Sequence, residues 1–311
     1  MNDIDVSIIF VNYKTSYLIK DVISSIKEKS SNFTYEIIIV DNSCDKEEFN
    51  KLQEYKNDAL IVDAKDNLGF GKANNLGATY AHGKYLHFLN TDTLLINNAI
   101  YELKKFLDEH NNVSIVGSNL YTRDEKPNHS YIPYVMNRKG IKKLNSLFTT
   151  IKKKITRNRP DFNYTDQPLK LDGYVCGASL MMRKEDFDKL GGFDKDIFMY
   201  SEETLLCYRT IHELHKEIYN VPSSKIIHFE GESFKKPVSY QRFKTQADGD
   251  AIYYLKAFGK EETIKILKNK LKTYKKKAFI SKLTGNKSQV EKFNMMYKAN
   301  KEKLEELIWK V

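Results

Sequence analysis

Five short apolar runs alternate with amphipathic segments over the first 120 residues, and this pattern most constrains the fold. The runs predict strands at Val6–Asn12, Tyr35–Asp41, Leu60–Asp63, 84–89 and Val113–Gly117. Apolar residues recur at helical spacing between them and predict helices at 15–29, 70–82 and 97–110. Strands that are apolar on both faces and separated by helices are typical of a mostly parallel sheet that helices cover on both sides.

The rest of the chain departs from that alternation. Residues 121–170 contain four of the six prolines and a lysine-rich helical patch at 138–158, so we interpret them as an insertion. Leu171–Arg183 has the pattern of a strand and Ser201–His215 that of a helix. The remaining helices are predicted at 237–259, 261–280 and 286–309. We therefore predict an α/β domain at 1–236 with a basic insertion at 121–170, followed by a basic helical region at 237–311.

The net charge of +10 is distributed unevenly along the chain. Residues 1–120 carry 12 lysines against 17 acidic residues, whereas residues 121–170 carry 12 basic and four acidic residues. Residues 253–311 carry 16 lysines and six glutamates. Such asymmetry indicates a polyanionic partner, which is a nucleic acid, an anionic lipid or a phosphorylated substrate. Solvated helical surface is the alternative interpretation of the basic blocks.

Cysteine content and hydropathy indicate the compartment. The three cysteines at 44, 176 and 207 are far apart and odd in number, which predicts neither a disulfide framework nor a metal motif and favours a reducing compartment. We expect no signal peptide, because the chain enters an apolar strand after five residues without a basic segment or a cleavage site. No run of about 18 apolar residues predicts a membrane span.

Asn90-Thr91-Asp92 follows the apolar run that ends at Leu89. In open α/β sheets, ligands bind beyond the carboxyl ends of the strands. A carboxylate there can hold a hard cation, and the cation can hold a diphosphate. The segment therefore suggests chemistry on a nucleotide-linked substrate. An acid that caps a turn or a helix is the structural alternative.

Four further segments have both a structural and a functional interpretation. Asp41 ends the second predicted strand, where it can accept a hydrogen bond from a nucleobase or a ribose, or cap the next helix. Residues 66–75 form a Gly/Asn-rich turn that favours a phosphate but lacks the dinucleotide fingerprint. Glu202-Glu203 opens a helix, where one carboxylate suits the helix dipole and the other can act as a general base. His228 follows an apolar run and is either structural or part of a site.

The order of these segments resembles that of family 2 glycosyltransferases of GT-A fold, and specifically the bacterial rhamnosyltransferase-like branch. The resemblance covers about residues 5–235 of this chain. No single segment is specific, whereas the ordered set is. The matching segments are Val11-Asn12-Tyr13, Val40–Ser43, Asn67–Gly71 with Asn74-Asn75, Asn90–Asp92, Gly177–Arg183, Gly191–Asp194, Phe198–Arg209, and His228 with Gly231 and Ser233.

The resemblance implies a role for each matching residue. Asp92 would bind a divalent cation, Mg²⁺ or Mn²⁺, and His228 would lie near the cation and the diphosphate. Glu203 would be the general base, with Glu202 as its competitor, and Asp41 would contact the nucleobase. The residues expected to bind the nucleotide sugar are Asn12, Tyr13, Asp41, Asn67, Gly69, Asn74, Asn90, Thr91 and Arg183.

Two positions depart from the family pattern. Asn90 replaces the leading Asp of the Asp-x-Asp element, which leaves Asp92 as the carboxylate for the metal. The cation should therefore depend on the donor diphosphate. Glu203 stands where the family commonly has an Asp as the base, and Leu205 replaces a later Asp. Glu is one methylene longer but chemically competent, so the choice between Glu203 and Glu202 stays open.

The resemblance implies an inverting glycosyltransferase of bacterial surface polysaccharide assembly. The expected donor is dTDP-rhamnose or a UDP-sugar, and the expected acceptor is a hydroxyl of a saccharide or of a polyprenyl-diphosphate-linked saccharide. We expect a cytoplasmic protein without a nucleic acid partner, for which the basic blocks suggest docking on the inner face of the cell membrane. A sugar nucleotidyltransferase would need glycines after the first strand, where Asn12–Thr15 stands. A non-catalytic polyanion-binding protein would leave the acidic first half unexplained.

Overall fold

The structure is a computed structural model that describes residues 3–144, 166–229 and 239–309, with backbone alone at 143 and 144. The described residues form two compact units. The sheet unit comprises residues 3–135, 166–195 and 203–229. The helical unit comprises residues 136–144, 196–202 and 239–309.

The sheet unit is built on a nine-stranded mixed sheet. The strands of the unit are β1 (Val6–Asn12), β2 (Tyr35–Asp41), β3 (Leu60–Asp63), β4 (Tyr85–Leu89), β5 (Thr93–Leu95), β6 (Val113–Tyr121), β7 (Tyr131–Ile132), β8 (Leu169–Lys170), β9 (Tyr174–Val175), β10 (Ser179–Arg183) and β11 (Glu217–His228). Their order in the large sheet is β3-β2-β1-β4-β10-β6-β11-β5, with β8 also paired to β11, while β7 and β9 form a separate pair. The first four strands run parallel, whereas β10 is antiparallel to both of its neighbours.

Helices cover both faces of this sheet, as the apolar strands predict. Successive side chains of a strand point to opposite faces, so Ile8 and Phe10 of β1 pack with Ile19 on one face, while Ile9 packs with Ala73 on the other. The predicted α/β fold with helices on both faces of the sheet is confirmed. The helices are α1 (Ser16–Lys29), α2 (Lys46–Leu52), α3 (Phe70–Ala78), α4 (Ala99–Glu109), α5 (Arg138–Leu144), α6 (Lys184–Leu190), α7 (Glu202–His212), α8 (Tyr240–Leu283) and α9 (Lys287–Trp309).

The structure differs from the sequence-based expectation in the second half of the sheet. The predicted strand Leu171–Arg183 is divided into β9 and β10 by a turn that contains Gly177. Strand β11 has no counterpart in the prediction, because Pro222 and polar residues interrupt its apolar pattern. Its pairing with β6 is correspondingly irregular between Val221 and Lys225. The predicted helix at 138–158 is described only as far as α5, and its remainder lies outside the described residues.

A row of hydrogen-bonded polar side chains crosses the buried centre of the sheet. His87 of β4 contacts the hydroxyl of Ser179 on β10, with 3.0 Å between Nε2 and Oγ. Ser118 of β6 bonds Ser179 and also Ser224 of β11, both at 2.8 Å. Burial lowers the pKa of His87 to about 3. The imidazole is therefore held neutral by the sheet around it.

Stability should decrease below about pH 6.5 because of His87. The unfolded chain binds a proton near the ordinary histidine pKa of about 6.5. The folded chain excludes that proton down to about pH 3, so the free energy of unfolding falls as the pH falls through this window. The loss should reach about 2 kcal/mol by pH 5. Urea unfolding of wild type and His87→Asn at about pH 7.5 and about pH 5 measures it. Equal losses in the two proteins would contradict the assignment.

The helical unit contains α5, α8 and α9. Helices α8 and α9 are the predicted C-terminal helical extension. Gly259 interrupts α8 with φ 78° and ψ 171°, a conformation that favours glycine. Helices α8 and α9 form an antiparallel hairpin, in which Phe243 packs with Ala299 and Lys277 lies over the ring of Phe293. None of the described helices combines the length and the apolar character needed to cross a membrane.

A largely buried ion pair joins the two parts of α8 on either side of Gly259. Lys270 Nζ donates to Asp250 Oδ2 at 2.5 Å, and the hydroxyl of Ser201 donates to Asp250 Oδ1 at 2.7 Å. Burial acts to lower the pKa of Lys270, but attraction to Asp250 outweighs it and the pKa lies well above its usual value. The charge of Lys270 thus depends on its partner.

Asp250→Ala should destabilise the helical unit by about 3–5 kcal/mol, because it leaves the Lys270 charge buried without its carboxylate. Urea unfolding followed by circular dichroism measures the change. Glu261→Ala is the matched control, since it removes an exposed carboxylate paired with Lys265 and should have no measurable effect. A loss at Asp250 no larger than the loss at Glu261 would refute this role of the pair.

Candidate functional site

Polar residues at or just beyond the ends of β1, β2 and β4 are joined by hydrogen bonds at the carboxyl edge of the sheet. Asn12 donates from Nδ2 to Asp41 Oδ1 at 2.9 Å, because the two residues are in register on neighbouring parallel strands. Asn12 Oδ1 accepts from both the amide and the hydroxyl of Thr15 at 3.0 Å. Thr91 donates to the Thr15 hydroxyl, also at 3.0 Å. A buried chain of hydrogen bonds therefore runs from Asp41 to Thr91.

Asp41 is buried, and most of its hydrogen-bonding capacity is used within the protein. Besides Asn12, the amide and the hydroxyl of Ser43 donate to its carboxylate. Burial raises the pKa of Asp41, although these hydrogen bonds oppose the shift. A carboxylate accepts about four hydrogen bonds, so about one acceptor position remains for a ligand. Tyr13, which follows β1, exposes 47% of its surface.

The predicted Gly/Asn-rich turn is held by the side chain of Asn42. Asn42 donates to Asn67 Oδ1 at 3.1 Å and accepts from the amide of Leu68 at 2.8 Å. Asn67 Oδ1 also accepts from the amide of Gly69, whose φ of 79° opens α3. Asn74 is buried and donates to the carbonyl of Phe70 in its own helix. Asn67 and Gly69 thus shape the turn itself, whereas the amide of Asn74 is used inside α3.

Asp92 and His228 are brought together by the pairing of β5 with β11. Thr93 is in register with His228, and the amide of Phe229 donates to the carbonyl of Asp92 at 3.0 Å. Asp92 Oδ1 and His228 Nε2 lie 3.4 Å apart, and both side chains are nearly buried. The amide of Asn90 donates to the carbonyl of Ala178 at 3.0 Å. The turn before β5 and the end of β11 therefore bring one carboxylate and one imidazole together.

The pair has the donor chemistry of a divalent cation site that is incomplete by itself. Carboxylate oxygen suits Mg²⁺ and Mn²⁺, and an imidazole nitrogen is a further ligand for transition metals. Within the described ranges, no group of three or more His, Cys, Asp or Glu could hold a metal ion. An octahedral ion takes about six ligands, so about four positions would fall to other oxygens. The residues fit a cation that a bound diphosphate helps to hold.

The two glutamates at the start of α7 have different surroundings. Glu203 is partly exposed, and its carboxylate accepts from the hydroxyl of Thr204 at 3.2 Å. Its carboxyl carbon would lie 4.0 Å from a Cβ placed on Gly177, one residue before the Ala178 that holds Asn90. Glu202 is only 5% exposed and belongs to the helical unit. Of the two, Glu203 lies with the sheet-unit residues.

Arg183 does not join this group. It pairs with Tyr85 at the beginning of β4, whereas Asn90 follows the opposite end of the same strand. Its guanidinium donates to the carbonyls of Val113 and Leu107 at 2.8 and 2.5 Å. Arg183 therefore satisfies the end of α4 at the other edge of the sheet. Two residues of the predicted histidine segment, 231 and 233, lie outside the described residues.

Three residues near the site are not distinguished by sequence pattern alone. Thr15 and Asn42 make the hydrogen bonds that connect the strand ends, and each reads as an ordinary polar residue after a strand. The exposed guanidinium of Arg123 lies 4.7 Å from the ring centre of Phe229, next to His228. In the sequence, Arg123 belongs to the basic block at 121–170, and the charge of that block does not distinguish it from the other basic residues.

The family model described as glycosyl transferase family 2 matches residues 7–191 of this chain. The chain belongs to this family. Among curated proteins, this family 2 chain is 28% identical over 250 residues to the low-salt glycan biosynthesis hexosyltransferase Agl10 of Haloferax volcanii. The match covers 78% of this chain and 70% of Agl10. The chain is 33% identical over 113 residues to the minor teichoic acid biosynthesis protein GgaB of Bacillus subtilis, covering 35% of the chain and 12% of GgaB.

Solved structures with a similar fold include two glycosyltransferase-fold proteins bound to UDP. GalNAc-T7 with UDP, GalNAc and Mn²⁺ superposes with a TM-score of 0.55 at 16% identity, covering 80% of this chain and 48% of GalNAc-T7. S. aureus TarS 1–349 with UDP has a TM-score of 0.51 at 15% identity, covering 85% of this chain and 71% of that one. At such identities the likeness shows the fold, and the predicted GT-A fold is confirmed.

Proposed function

We propose that this family 2 chain is an inverting glycosyltransferase that moves a hexosyl group from a nucleoside diphosphate to an acceptor hydroxyl. The observation that carries the proposal is the buried hydrogen-bond chain from Asp41 to Thr91, the residue before Asp92. It fixes an acid suited to a nucleoside and an acid suited to a cation at one edge of the sheet. Family membership favours glycosyl transfer over the nucleotidyltransferase and polyanion-binding alternatives.

The donor would lie along this edge. Asp41 has about one acceptor position left for a base or ribose group, and the exposed ring of Tyr13 is available for stacking. Asn67 and Gly69 would bound the pocket through the turn that Asn42 holds. A UDP-hexose is the donor we favour, because two proteins of similar fold were solved with UDP. dTDP-rhamnose is the second candidate.

Asp92 and His228 would hold the cation, while Asn90 and Thr91 shape the turn that presents Asp92. A divalent cation, when bound, would neutralise charge on the departing diphosphate, a contribution of several kcal/mol. Mn²⁺ in the GalNAc-T7 structure supports a transition metal in this role. The imidazole of His228 would add a nitrogen ligand.

Glu203 would remove the proton from the acceptor hydroxyl as the hydroxyl attacks the anomeric carbon from the face opposite the diphosphate. A positioned base contributes roughly 10²–10⁴-fold. The partial exposure of Glu203 favours it over Glu202, because the base must reach a bound acceptor. We propose that residues 1–236 form the catalytic domain and that residues 237–311 form an appended helical region.

The acceptor would be a saccharide, either free or carried on a polyprenyl diphosphate, in the assembly of a surface polysaccharide. The names of the two curated relatives, one in glycan and one in teichoic acid biosynthesis, support this class. A lipid-linked acceptor would place the enzyme on the inner face of the cell membrane.

A thermal-shift screen of UDP-, dTDP- and GDP-sugars with Mn²⁺ tests the proposal, followed by transfer assays with the stabilising donor. A ligand at about 100 times its Kd stabilises by about 2.7 kcal/mol, so one nucleotide class should raise Tm. Stabilisation by heparin or nucleic acid but by no nucleotide would support the polyanion-binding alternative instead. Release of nucleoside triphosphate from a sugar donor and diphosphate would indicate a nucleotidyltransferase.

A further inference from the structure

The turn between α8 and α9 exposes a cluster of large apolar side chains. We call residues 275–290 the hairpin tip. Phe279, Ile280 and Leu283 are 62%, 44% and 72% exposed. Their spacing places them within about 100° of arc on the last turn of α8. Three large apolar side chains are therefore exposed to solvent on one face of α8, next to the turn that leads into α9.

The same tip carries only positive charge. Five of its residues are lysines and none is acidic, and the wider segment 263–290 contains nine lysines without an Asp or Glu. Lys275 and Lys277 lie over the rings of Tyr297 and Phe293 on α9. Lys276, Lys282 and Lys287 form no ion pair with any described residue. The charge of these three lysines is therefore not neutralised by a carboxylate among the described residues.

We infer that the hairpin tip docks on an anionic lipid bilayer. Phe279, Ile280 and Leu283 enter the boundary between headgroups and acyl chains, and the lysines contact the anionic headgroups. Interfacial helices bind by this combination of buried apolar area and electrostatic attraction. The hairpin supplies both from one turn, close to which α8 and α9 contact each other through Lys277 and Phe293.

Other partners would match either the apolar side chains or the positive charge of the hairpin tip, but not both. A nucleic acid would attract the lysines, but its phosphate backbone offers no apolar phase for an isoleucine and a leucine. A second copy of the tip would cover the apolar side chains, but it would bring two sets of five lysines together. A bilayer with anionic lipid accommodates both the apolar cluster and its charge.

The inference deepens the proposed function, because a polyprenyl-linked acceptor would lie at the same surface. Its test needs neither donor nor acceptor. A failure of membrane docking would therefore leave the proposal of glycosyl transfer standing, and the absence of transfer would leave docking untouched.

Vesicle flotation of the full chain tests the inference. The probes are vesicles of phosphatidylcholine alone and vesicles of equal parts phosphatidylcholine and phosphatidylglycerol. Wild type should float with the anionic vesicles and not with the neutral ones, and added salt should weaken the binding. Flotation with neither kind of vesicle, or equally with both, would overturn the inference.

Two variants separate the contributions, each with a matched control. F279S/I280S/L283S should weaken binding at least tenfold, whereas Y17S/L60S/Y80S removes three exposed apolar side chains elsewhere and should not. K276Q/K282Q/K287Q should weaken binding about a hundredfold, whereas K20Q/K46Q/K56Q removes the same charge from the acidic first half. The inference would be overturned if either tip variant floated as well as wild type. It would also be overturned if a tip variant changed only the sedimentation coefficient, because the tip would then mediate self-association.

Discussion

Asp92→Ala should abolish sugar transfer while the fold persists. Asp92 is the carboxylate of the Asn90-Thr91-Asp92 turn, and its oxygen lies 3.4 Å from His228 Nε2. Its removal would leave the imidazole of His228 and the donor diphosphate to hold the cation. Because a cation at the leaving group contributes several kcal/mol, we expect turnover to fall by on the order of 10³-fold or more.

Initial rates with saturating donor, acceptor and Mn²⁺ measure this effect. Asp58→Ala is the matched control, since it removes a carboxylate of the sheet unit that pairs with Lys27 away from the site. The control should keep wild-type turnover. Near wild-type turnover by a folded Asp92→Ala would refute the role of Asp92 in holding the cation.

Glu203→Gln should lower turnover by roughly 10²–10⁴-fold, because the amide cannot accept the hydroxyl proton. The substitution preserves size, and Glu203 lies on the acceptor side of the proposed chemistry. The affinity for the nucleotide sugar should therefore remain unchanged. Turnover and donor affinity measured on the same preparation separate the two effects.

Glu202→Gln is the matched control for that experiment. Glu202 is buried and belongs to the helical unit, so its amide variant should alter Tm more than turnover. Glu203→Asp restores the residue that the family commonly has at this position, and it should retain more activity than Glu203→Gln. An equal loss of turnover in Glu202→Gln at an unchanged Tm would assign the base to Glu202 instead.

The first half of the fold could be predicted because its signals are local. The predicted bounds of the first three strands coincide with β1, β2 and β3, since each is a mainly apolar run that ends at a polar residue. Strand β11 could not be read in this way. Its apolar residues are separated by Pro222 and by polar side chains, and its strand character comes from pairing with β5, β6 and β8.

The positions of candidate site residues could be predicted where a residue ends or follows a strand. They could not be predicted where the pairing of distant strands determines which side chains meet. Asp41 and Asp92 follow apolar runs, and parallel strands bring such ends to one edge. The approach of Asp92 to His228 depends on the register of β5 with β11, which no local pattern encodes. Arg183 is the opposite case. It also ends a strand, but β10 runs antiparallel to β4 and so carries Arg183 to the opposite edge of the sheet.

Mn²⁺ binding with and without UDP tests the central claim most directly. The cation is proposed to have two protein ligands, Asp92 and His228, and the diphosphate is expected to complete the site. Isothermal titration of wild type should show weak Mn²⁺ binding alone and binding tightened about 5–150-fold by UDP. The same titration of Asp92→Ala should show no such coupling. Equally tight Mn²⁺ binding without UDP, or coupling that survives in Asp92→Ala, would contradict the account.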